Sequence, residues 1–363
     1  MPELRSGVDI EKNSRCSAIA HDWARRTFAN RQGIAGAPLM NTTGSFSNYM
    51  DYDGAIIAMT SDGIGSKIEL AERLGCYTTL GFDLMAMVTD DLVANGFEPG
   101  NVSNILDVDT LDAAIVDDLM RGLFEAAAAA VVAVTGGEIA ELGDRVRGWG
   151  PRMHFNWCAT AIGFMPRTRQ PIEGGLVRPG QHLVAIESPG FRSNGFSLLR
   201  SIMARSFGPQ WHEVACDGGR TWGEALLTPS LIYAPAVCKV LDAGCRVTGI
   251  AHITGGGIPD KLGRVLRRTG CGARLPDLFE PLPFMYAAAR LGEIPPETAY
   301  RQWNQGNGML MLVEADDAAA CIALLGANGL RARDAGLVTD DALITITAQP
   351  DRRENLAFAV GQA

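Results

Sequence analysis

The chain has 363 residues, 47% hydrophobic and 20% charged, a composition that is typical of an ordinary globular protein and long enough for two domains. Its formal net charge of -9 argues against a nucleic-acid or membrane-surface protein that works through bulk positive charge, but it does not exclude a local basic pocket for a phosphorylated ligand. The eight cysteines form no CxxC pair, the N-terminus lacks an apolar secretory segment, and no apolar run reaches the roughly 20 residues of a membrane span, so we expect a cytoplasmic protein with reduced thiols.

The first half of the chain predicts strands and helices that alternate around glycine-rich turns. A buried strand at 55–59 runs into the loop TSDGIGSK, and GFDLMAMVTDDLVANG is typical of a helix because its apolar residues recur at helical spacing. A strand at 104–108, an alanine-rich helix at 110–130 capped by Thr110 or Asp112, and a strand that ends in the glycine turn TGGE follow. The apolar strand MHFNWCATAIGFM closes this half.

The polar segment 166–175, rich in proline and glycine, predicts a linker between two domains at residues 1–170 and 171–350. The second half predicts a strand at 181–188, a helix after GFRSNG, a helix in TPSLIYAPAVCKVLDAG and a strand that ends in TGGG. A helix from 257, then a strand and a helix within 304–329, complete it. Because each half has a strand, a Gly-Gly turn and a helix, we expect two related α+β domains.

The loop TSDGIGSK is the first candidate site. Gly63 and Gly65 allow backbone amides to approach an anion closely, and Lys67 adds a point charge suited to a phosphate. Asp62 is a candidate Mg²⁺ ligand, because this ion prefers carboxylate oxygens together with ligand phosphates. The alternative is a hairpin turn whose charges are solvated.

The predicted helix GFDLMAMVTDDLVANG contains two adjacent carboxylates, Asp90 and Asp91. By spacing, Asp91 shares a face with Leu84, Met87 and Val88. A carboxylate on a buried stripe is costly unless it is paired or binds a metal, so we expect Asp91 to be functional. The alternative is a helix rotation that leaves both aspartates in water.

The segment TGGEIAEL predicts a tight turn at Gly136 and Gly137 with Glu138 at its mouth. Asp62, Asp91 and Glu138 then all lie at strand or helix ends, where they are able to converge on one or two Mg²⁺ ions. The alternative for Glu138 is a capping role at a helix N-terminus.

The segment AHITGGG predicts an anion-binding turn before a helix, formed by Gly255, Gly256 and Gly257. His252 lies on the preceding strand. It is either a catalytic or ligand-binding group beside this turn or a core histidine satisfied by hydrogen bonds.

The segment GFRSNG raises a similar choice. Arg192 either holds an anion at the start of the next helix or is a solvated loop cation. Ser193 or Asn194 is expected to cap that helix.

Taken in order, these segments resemble those of the phosphoribosylformylglycinamidine cyclo-ligase family, the aminoimidazole ribonucleotide (AIR) synthetases. The resemblance covers nearly the whole chain, and the order of its motifs is more specific than any one of them. The matching segments are SGVDI, SDGIGSK, GFDLMAMVTDDLVANGFEP, GGEIAEL, SNGFSLLR, TPSLIY, GIAHITGGG and RQWNQGNGM.

The resemblance implies an α+β, PurM-like two-domain fold, with N-terminal sheets that join across a homodimer and a C-terminal α/β sandwich. It implies ATP and Mg²⁺ as cofactors and a small phosphorylated substrate, without a nucleic-acid or membrane partner. In the family's reaction, ATP phosphorylates the amide oxygen of formylglycinamidine ribonucleotide (FGAM), and a nitrogen of the same substrate closes the imidazole ring and expels phosphate. Such chemistry depends mainly on positioning and on neutralising phosphate charge.

Site roles follow from the resemblance by position. It implies catalytic roles for His252, Lys67 and Asp91, and metal contacts for Asp62, Asp91 and Glu138. The substrate and nucleotide contacts that we expect are Asp62, Gly63, Gly65, Lys67, Arg192, Ser193, Asn194, Gly255, Gly256 and Gly257.

The sequence also departs from the family's pattern. Arg192 stands where the family usually has histidine, Asp90 where it has asparagine, and Lys261 where it has asparagine. These changes fit either a divergent AIR synthetase or a paralogue that phosphorylates a different amide, carboxylate or phosphate acceptor. A non-catalytic nucleotide-binding paralogue is the third reading, against which Asp62, Lys67, Asp91 and Glu138 speak.

Overall fold

The computed structural model describes residues 10–31, 37–38, 46–52, 54–167, 169–348 and 355–361, so most of the segment SGVDI lies outside the described residues. Two sheets organise the chain, one within residues 37–164 and the other within residues 182–359. Helices pack on both sheets, and the expected α+β class is confirmed. Within the described ranges, no helix is long and apolar enough to cross a membrane.

The N-terminal sheet is mostly antiparallel. In the described part of the chain its strands are β1 (Ala37–Pro38), β2 (Asn48–Tyr52), β3 (Ala55–Gly63), β4 (Glu98–Val108), β5 (Ala133–Glu141) and β6 (Phe155–Phe164). Their spatial order is β1-β2-β3-β6-β4-β5, and only β4 and β5 pair in parallel. Buried and more exposed residues alternate along β4 and β6, so one face of the sheet lies on the core and the other faces outward.

The C-terminal sheet has its most buried strand near one edge. Its described strands are β7 (His182–Glu187), β8 (Val247–His252), β9 (Gly272–Leu275), β10 (Asn307–Val313), β11 (Ala332–Thr339), β12 (Leu343–Thr347) and β13 (Asn355–Ala359). Their order is β13-β12-β9-β11-β7-β10-β8, and β10 is buried throughout. This sheet continues past residue 350, the expected limit of the second domain.

Helices cover both faces of the C-terminal sheet. The described α-helices are α1 (Ile10–Arg26), α2 (Ile68–Leu74), α3 (Leu80–Ala94), α4 (Ala113–Ala130), α5 (Phe196–Phe207), α6 (Trp222–Leu226), α7 (Ala234–Asp242), α8 (Gly257–Leu266), α9 (Pro283–Gly292), α10 (Pro296–Gln302) and α11 (Ala318–Ala327). Apolar residues of α7 and α11 pack on one face, and those of α8 on the other. Asp112 caps α4, as one of the two expected capping residues, by accepting from the amides of Ala114 and Ile115.

One apolar core joins the two halves of the chain. Leu84 of α3 and Trp157 of β6 belong to the same buried cluster as Phe196 of α5 and Trp303, which follows α10. Helices α5, α6 and α9, which come after the predicted linker, therefore help to cover the N-terminal sheet. The halves are separate as sheets but continuous as a core.

The expected glycine turn at TGGE is wrong. Strand β5 runs through both glycines, and Gly136 and Gly137 pair with Ser103 and Asn104 of β4. A Cβ atom at Gly137 would lie 2.8 Å from the side-chain nitrogen of Asn104, so the glycine permits a close strand approach rather than a turn. Glu138 consequently lies within an edge strand.

Gly122 of α4 provides a test of how closely this helix packs on the turn before α3. A Cβ atom there would lie 1.9 Å from the carbonyl oxygen of Thr78, whereas a Cβ at Gly326 of α11 meets no atom within 4 Å. We predict that Gly122→Ala lowers the free energy of unfolding by about 1–3 kcal/mol through overpacking. The control Gly326→Ala should leave it unchanged or raise it by up to about 1 kcal/mol. Chemical denaturation followed by tryptophan fluorescence measures both, and equal effects would contradict the close contact.

Candidate active site

Helix α3 is buried on almost every side, yet it carries Asp83, Asp90 and Asp91. Asp83 and Asp90 are fully buried, and the Asp91 side chain is 16% exposed. A buried carboxylate is costly unless a cation or several hydrogen bonds compensate it. Each of these three carboxylates therefore requires a compensating partner from elsewhere in the chain.

Lys67 compensates Asp83. Its ammonium is fully buried, donates to Asp83 Oδ1 at 2.9 Å and donates to the carbonyl oxygen of Thr228 at 2.7 Å. Asp83 also accepts from the amide and the hydroxyl of Ser230. The loop TSDGIGSK thus directs its lysine into the protein, where the pair joins α3 to the C-terminal half.

Arg192 compensates Asp90. Its guanidinium, 1% exposed, donates from Nη2 to Asp90 Oδ2 at 2.8 Å and from Nη1 to the carbonyl oxygen of Leu231 at 3.0 Å. It lies over the Tyr233 ring, 4.7 Å from the ring centroid. Arg192 is therefore neither a solvated loop cation nor, in this arrangement, a group turned toward a ligand. Its charge is matched inside the core by Asp90, and its expected contact with the substrate stays a prediction.

Asp90 also holds the start of helix α7. Its Oδ1 accepts from the amides of Tyr233 and Ala234 at 2.8 and 2.9 Å. A carboxylate at this position satisfies free amides of the first turn and complements the positive end of the helix. Burial raises the pKa of Asp90, whereas Arg192, His252 and the hydrogen bonds lower it.

His252, at the end of β8, connects this pair to Asp91. Its Nε2 lies 2.9 Å from Arg192 Nη2, and its Nδ1 lies 2.7 Å from Asp91 Oδ1. Burial and the Arg192 charge lower the pKa of His252 to about 3, so the ring is neutral near pH 7. It is fully buried and makes its polar contacts to side chains, which agrees with a core histidine satisfied by hydrogen bonds, and its catalytic or ligand-binding role stays a prediction.

Asp62 and Asp91 interact electrostatically, and we refer to these two carboxylates as the acidic pair. Asp62 is near the end of β3 and accepts from the Gly63 amide at 2.7 Å. Burial raises the pKa of Asp62 to about 6, and the neighbouring Asp91 carboxylate acts in the same direction. Burial likewise raises the pKa of Asp91 to about 7, against the opposing effect of Lys261 and Arg264. Such a pair is suited to a bound cation, which would stabilise both ionised forms.

Lys261 is a cation whose charge acts on both carboxylates of the acidic pair. It is 7% exposed, donates to Asp260 Oδ2 at 3.0 Å, and lowers the pKa of both Asp62 and Asp91. Lys261 thus brings a positive charge to the site at the position where the sequence departs from the family pattern.

The segments GFRSNG and TGGG lie side by side. A Cβ at Gly255 would be 3.6 Å from Asn194 Nδ2, and Ser193 Oγ and Asn194 Oδ1 are buried without a hydrogen-bond partner among the described residues. The expected capping by Ser193 or Asn194 is wrong, because Gly195 is the N-cap of α5 and makes no side-chain cap. These free polar atoms beside two glycine loops suit a polar or anionic ligand.

Glycine is also required at positions 256 and 257 for a steric reason. Both have positive φ, +95° and +63°, and a Cβ at Gly257 would lie 1.9 Å from the carbonyl oxygen of Tyr300. Their freedom is needed to start α8 against the C-terminal end of α10. In the loop TSDGIGSK, Gly65 likewise has a positive φ of +68°. At Gly63 the reason is space, because a Cβ atom there would lie 2.9 Å from Cys158 Sγ.

Glu138 does not lie beside Asp62 within one copy of the chain. Asp62, Ala159, Asn104 and Gly137 are aligned across β3, β6, β4 and β5. Glu138 therefore lies three strand spacings away, about 14 Å, and on the opposite face of the sheet. Within the described ranges, no group of three or more His, Cys, Asp or Glu side chains is arranged to hold a metal ion alone.

The structure thus brings together Asp62, Asp91 and His252, with Ser193, Asn194 and the TGGG segment at neighbouring positions. It turns Lys67 and Arg192 inward and separates Glu138. The residues that the sequence reasoning missed are Asp83, Asp90, Tyr233 and, as a site cation, Lys261. Asp83 and Asp90 share one signal, since both lie on a helix that is apolar on almost every side.

Two sheets, a shared core and an acidic site beside glycine loops define a protein of the AIR synthase type. Residues 49–164 match the family model "AIR synthase related protein, N-terminal domain", and residues 178–349 match the C-terminal domain of the same description. The chain belongs to the phosphoribosylformylglycinamidine cyclo-ligase family.

Curated relatives with that name resemble the chain over most of its length. The protein of Methanosarcina acetivorans is 35% identical over 338 residues, which cover 91% of this chain and 96% of the relative. That of Thermococcus kodakarensis is 32% identical over 321 residues, 88% of this chain and 90% of the relative. The structure of the hydrogenase maturation protein HypE in complex with ATP is similar in fold, with a TM-score of 0.55, 15% identity, and coverage of 85% of each chain.

Lys67 allows a test that separates an interior ion pair from a phosphate contact. We predict that Lys67→Met lowers the free energy of unfolding by about 3–5 kcal/mol, because Asp83 is left buried without its cation. The double variant Lys67→Met/Asp83→Leu should recover much of this loss. Thermal and chemical denaturation measure the stability, and calorimetric titration with ATP measures binding. Unchanged stability with weakened ATP binding would contradict the interior pair.

Proposed function

We propose that this protein catalyses the ATP-dependent ring closure of FGAM to aminoimidazole ribonucleotide, a step of purine biosynthesis. ATP transfers its γ-phosphoryl group to the amide oxygen of FGAM, which forms an iminophosphate and ADP. A nitrogen of the same substrate attacks the activated carbon, the ring closes, and phosphate leaves with the former amide oxygen. The family membership and the curated relatives' shared name carry this proposal.

The acidic pair supports ATP and Mg²⁺ as cofactors. Mg²⁺ is usually bound by one or two carboxylates together with substrate phosphates, and Asp62 and Asp91 supply such a pair. Burial raises the pKa of both carboxylates, so a bound cation would favour their ionised forms. When bound, the ion would neutralise phosphate oxygens during transfer. The likeness to HypE, whose structure contains ATP, agrees with this fold as a nucleotide-binding one.

The polar atoms of Ser193 and Asn194 and the amides around Gly255 are our candidates for contacts with the phosphorylated substrate. Ser193 Oγ and Asn194 Oδ1 have no hydrogen-bond partner among the described residues, and they lie beside the starts of α5 and α8. Lys261 adds a cation at the neighbouring acidic pair. We assign phosphate neutralisation to Lys261 and the metal rather than to Lys67 and Arg192, whose charges are matched in the interior.

A related enzyme with another acceptor is the second candidate, and the departures at Arg192 and Lys261 are the observations that favour it. The decisive assay supplies Mg²⁺, ATP and FGAM and follows ADP and the aminoimidazole product. FGAM-dependent formation of both supports the proposal. ATP binding without FGAM-dependent ADP release would exclude the cyclo-ligase and leave the paralogue.

The cysteines of the described chain are unpaired, which agrees with a cytoplasmic location.

Asp91 tests the metal assignment. We predict that Asp91→Asn lowers kcat more than about 100-fold and raises the Mg²⁺ concentration needed for half-maximal activity, because loss of a direct ligand should exceed the 10- to 100-fold effect of outer partners. Asp260→Asn, which changes a carboxylate paired with Lys261 and Arg264, is the matched control and should retain most metal affinity. An unchanged Mg²⁺ requirement in Asp91→Asn would remove Asp91 from the metal site.

We also propose a homodimer in which the outer faces of two N-terminal sheets meet. This face carries Met59, Ile105 and Phe164, which are 56%, 50% and 49% exposed in the single chain. Burial of apolar side chains of this kind is favourable at about 25 cal/mol per Å². The same face includes Glu138, so a partner sheet would bring that carboxylate into an interface.

Ile105 tests the dimer. Ile105→Lys should place an ammonium in the apolar contact and shift the protein to monomers, which light scattering coupled to size exclusion detects at micromolar concentration. Phe124→Lys on α4, where the phenyl ring is 73% exposed and away from the sheet face, should leave the mass unchanged. A monomeric parent protein, or equal behaviour of both variants, argues against this interface.

A further inference from the structure

We propose that Arg192 and His252 are positioning residues for Asp91, within a relay that runs Asp90–Arg192–His252–Asp91. The relay fixes one tautomer of His252 and thereby holds the Asp91 carboxylate in place at the acidic pair. This deepens the proposed function and rests on it, since it takes Asp91 to be a working group of the active site.

The hydrogen atoms of Arg192 set the direction of the relay. Nη2 carries two of them, and two acceptors lie in range: Asp90 Oδ2 at 2.8 Å and His252 Nε2 at 2.9 Å. A guanidinium only donates, so His252 Nε2 must accept with its lone pair. The neutral ring then carries its single hydrogen on Nδ1, which donates to Asp91 Oδ1 at 2.7 Å. This assignment holds whether or not Asp91 is protonated.

The surroundings leave this arrangement little freedom. Arg192 is 1% exposed, and Asp90 and His252 are fully buried, so water does not compete for their hydrogen bonds. Arg192 also has a left-handed backbone with φ of 59°, which is uncommon for a residue other than glycine. In this conformation its side chain contacts Asp90 and His252.

An arginine has a specific consequence at this position. A histidine there would be able to donate or accept, and its charge would change near neutral pH. Arginine stays charged and only donates, so it permits one tautomer of His252. The relay also crosses the molecule, because Asp90 and Asp91 belong to α3 and His252 to β8. The packing of the two halves is thereby coupled to the position of Asp91.

The first test is spectroscopic and uses the intact protein. The chain has five histidines, so labelling with ¹⁵N-histidine and comparison with His252→Asn assigns the His252 ring. Long-range ¹H–¹⁵N correlation should show the Nδ1–H tautomer, with Nε2 unprotonated. The Nε2–H tautomer or a mixture of the two would overturn the proposal, independently of any enzyme activity.

The second test compares two arginines that each join the two halves of the chain. Arg192→Lys loses the fixed fork of donors but keeps the charge. Arg169→Lys is the matched control, since Arg169 also joins the halves through the carbonyl oxygens of Gly96 and Cys238 and an ion pair with Asp242, away from His252. Both should lower the melting temperature. Only Arg192→Lys should perturb the His252 tautomer, weaken Mg²⁺ binding in the presence of ATP and lower kcat, by about 10- to 100-fold. KM for FGAM should change less than kcat.

Equal loss of kcat in both variants would mean that Arg192 is merely structural, and unaltered kcat and tautomer in Arg192→Lys would also overturn the relay. If Arg192→Lys does not fold, His252→Asn and His252→Leu replace it: the amide of asparagine is able to donate to Asp91, so it should retain more activity and Mg²⁺ affinity than leucine. Equal values for the two would overturn the proposal. Absence of FGAM turnover in the unmodified protein would reject the cyclo-ligase function alone, because the tautomer and Mg²⁺ measurements still decide the relay.

Discussion

The structure depends on one constraint: α3 is a buried helix that contains three aspartates. Nearly every other residue of α3 is buried and apolar, so this helix has no solvated side on which carboxylates would cost nothing. Each aspartate therefore requires a partner from elsewhere in the chain. Lys67 and Ser230 satisfy Asp83, and Arg192 with the start of α7 satisfies Asp90. Asp91 has a histidine on one side and the candidate metal site on the other.

These partners explain why the halves share a core. Ser230, Arg192 and His252 all follow the predicted linker, and each donates a hydrogen bond to an aspartate of α3. A displacement of the C-terminal half would leave buried charges unpaired, which is far more costly than the loss of surface ion pairs. The acidic pair lies at this junction, because Asp62 comes from the N-terminal sheet and Asp91 from α3 beside β8.

The sequence predicts local features of this arrangement well and the distant pairings poorly. Helix α3 follows from apolar spacing, and the α+β class follows from the alternation of strands and helices. The loops that carry Asp62 and Gly255 follow from their glycines. By contrast, Lys67 is 16 residues from Asp83, and Arg192 is 102 residues from Asp90. A sequence pattern shows a cation beside glycines in either case, and it does not distinguish a lysine or arginine that meets a ligand from one that is buried against an aspartate.

The same limit applies to TGGE. Two adjacent glycines predict a turn, because glycine readily adopts positive φ. Here Gly137 instead admits the side chain of Asn104 from the parallel neighbour β4, a contact that no local pattern reveals. The difference matters for the site, since a turn would have placed Glu138 near the acidic pair. A strand places it on the outer face, where only a second sheet is able to make it part of a metal site.

A buried ion pair is not an efficient source of stability, because removing both charges from water costs about as much as their attraction returns. Apolar residues at positions 83 and 90 would cover α3 as well. What apolar contacts do not supply is direction, whereas the two bonds from Arg192 Nη2 fix where Asp90 and His252 lie relative to each other. Asp91 follows Asp90 in the chain, so the fixed position of Asp90 constrains its backbone. The hydrogen bond to His252 constrains its carboxylate. The buried charges of α3 therefore serve less to stabilise the fold than to fix the position of the Asp91 side chain at the site.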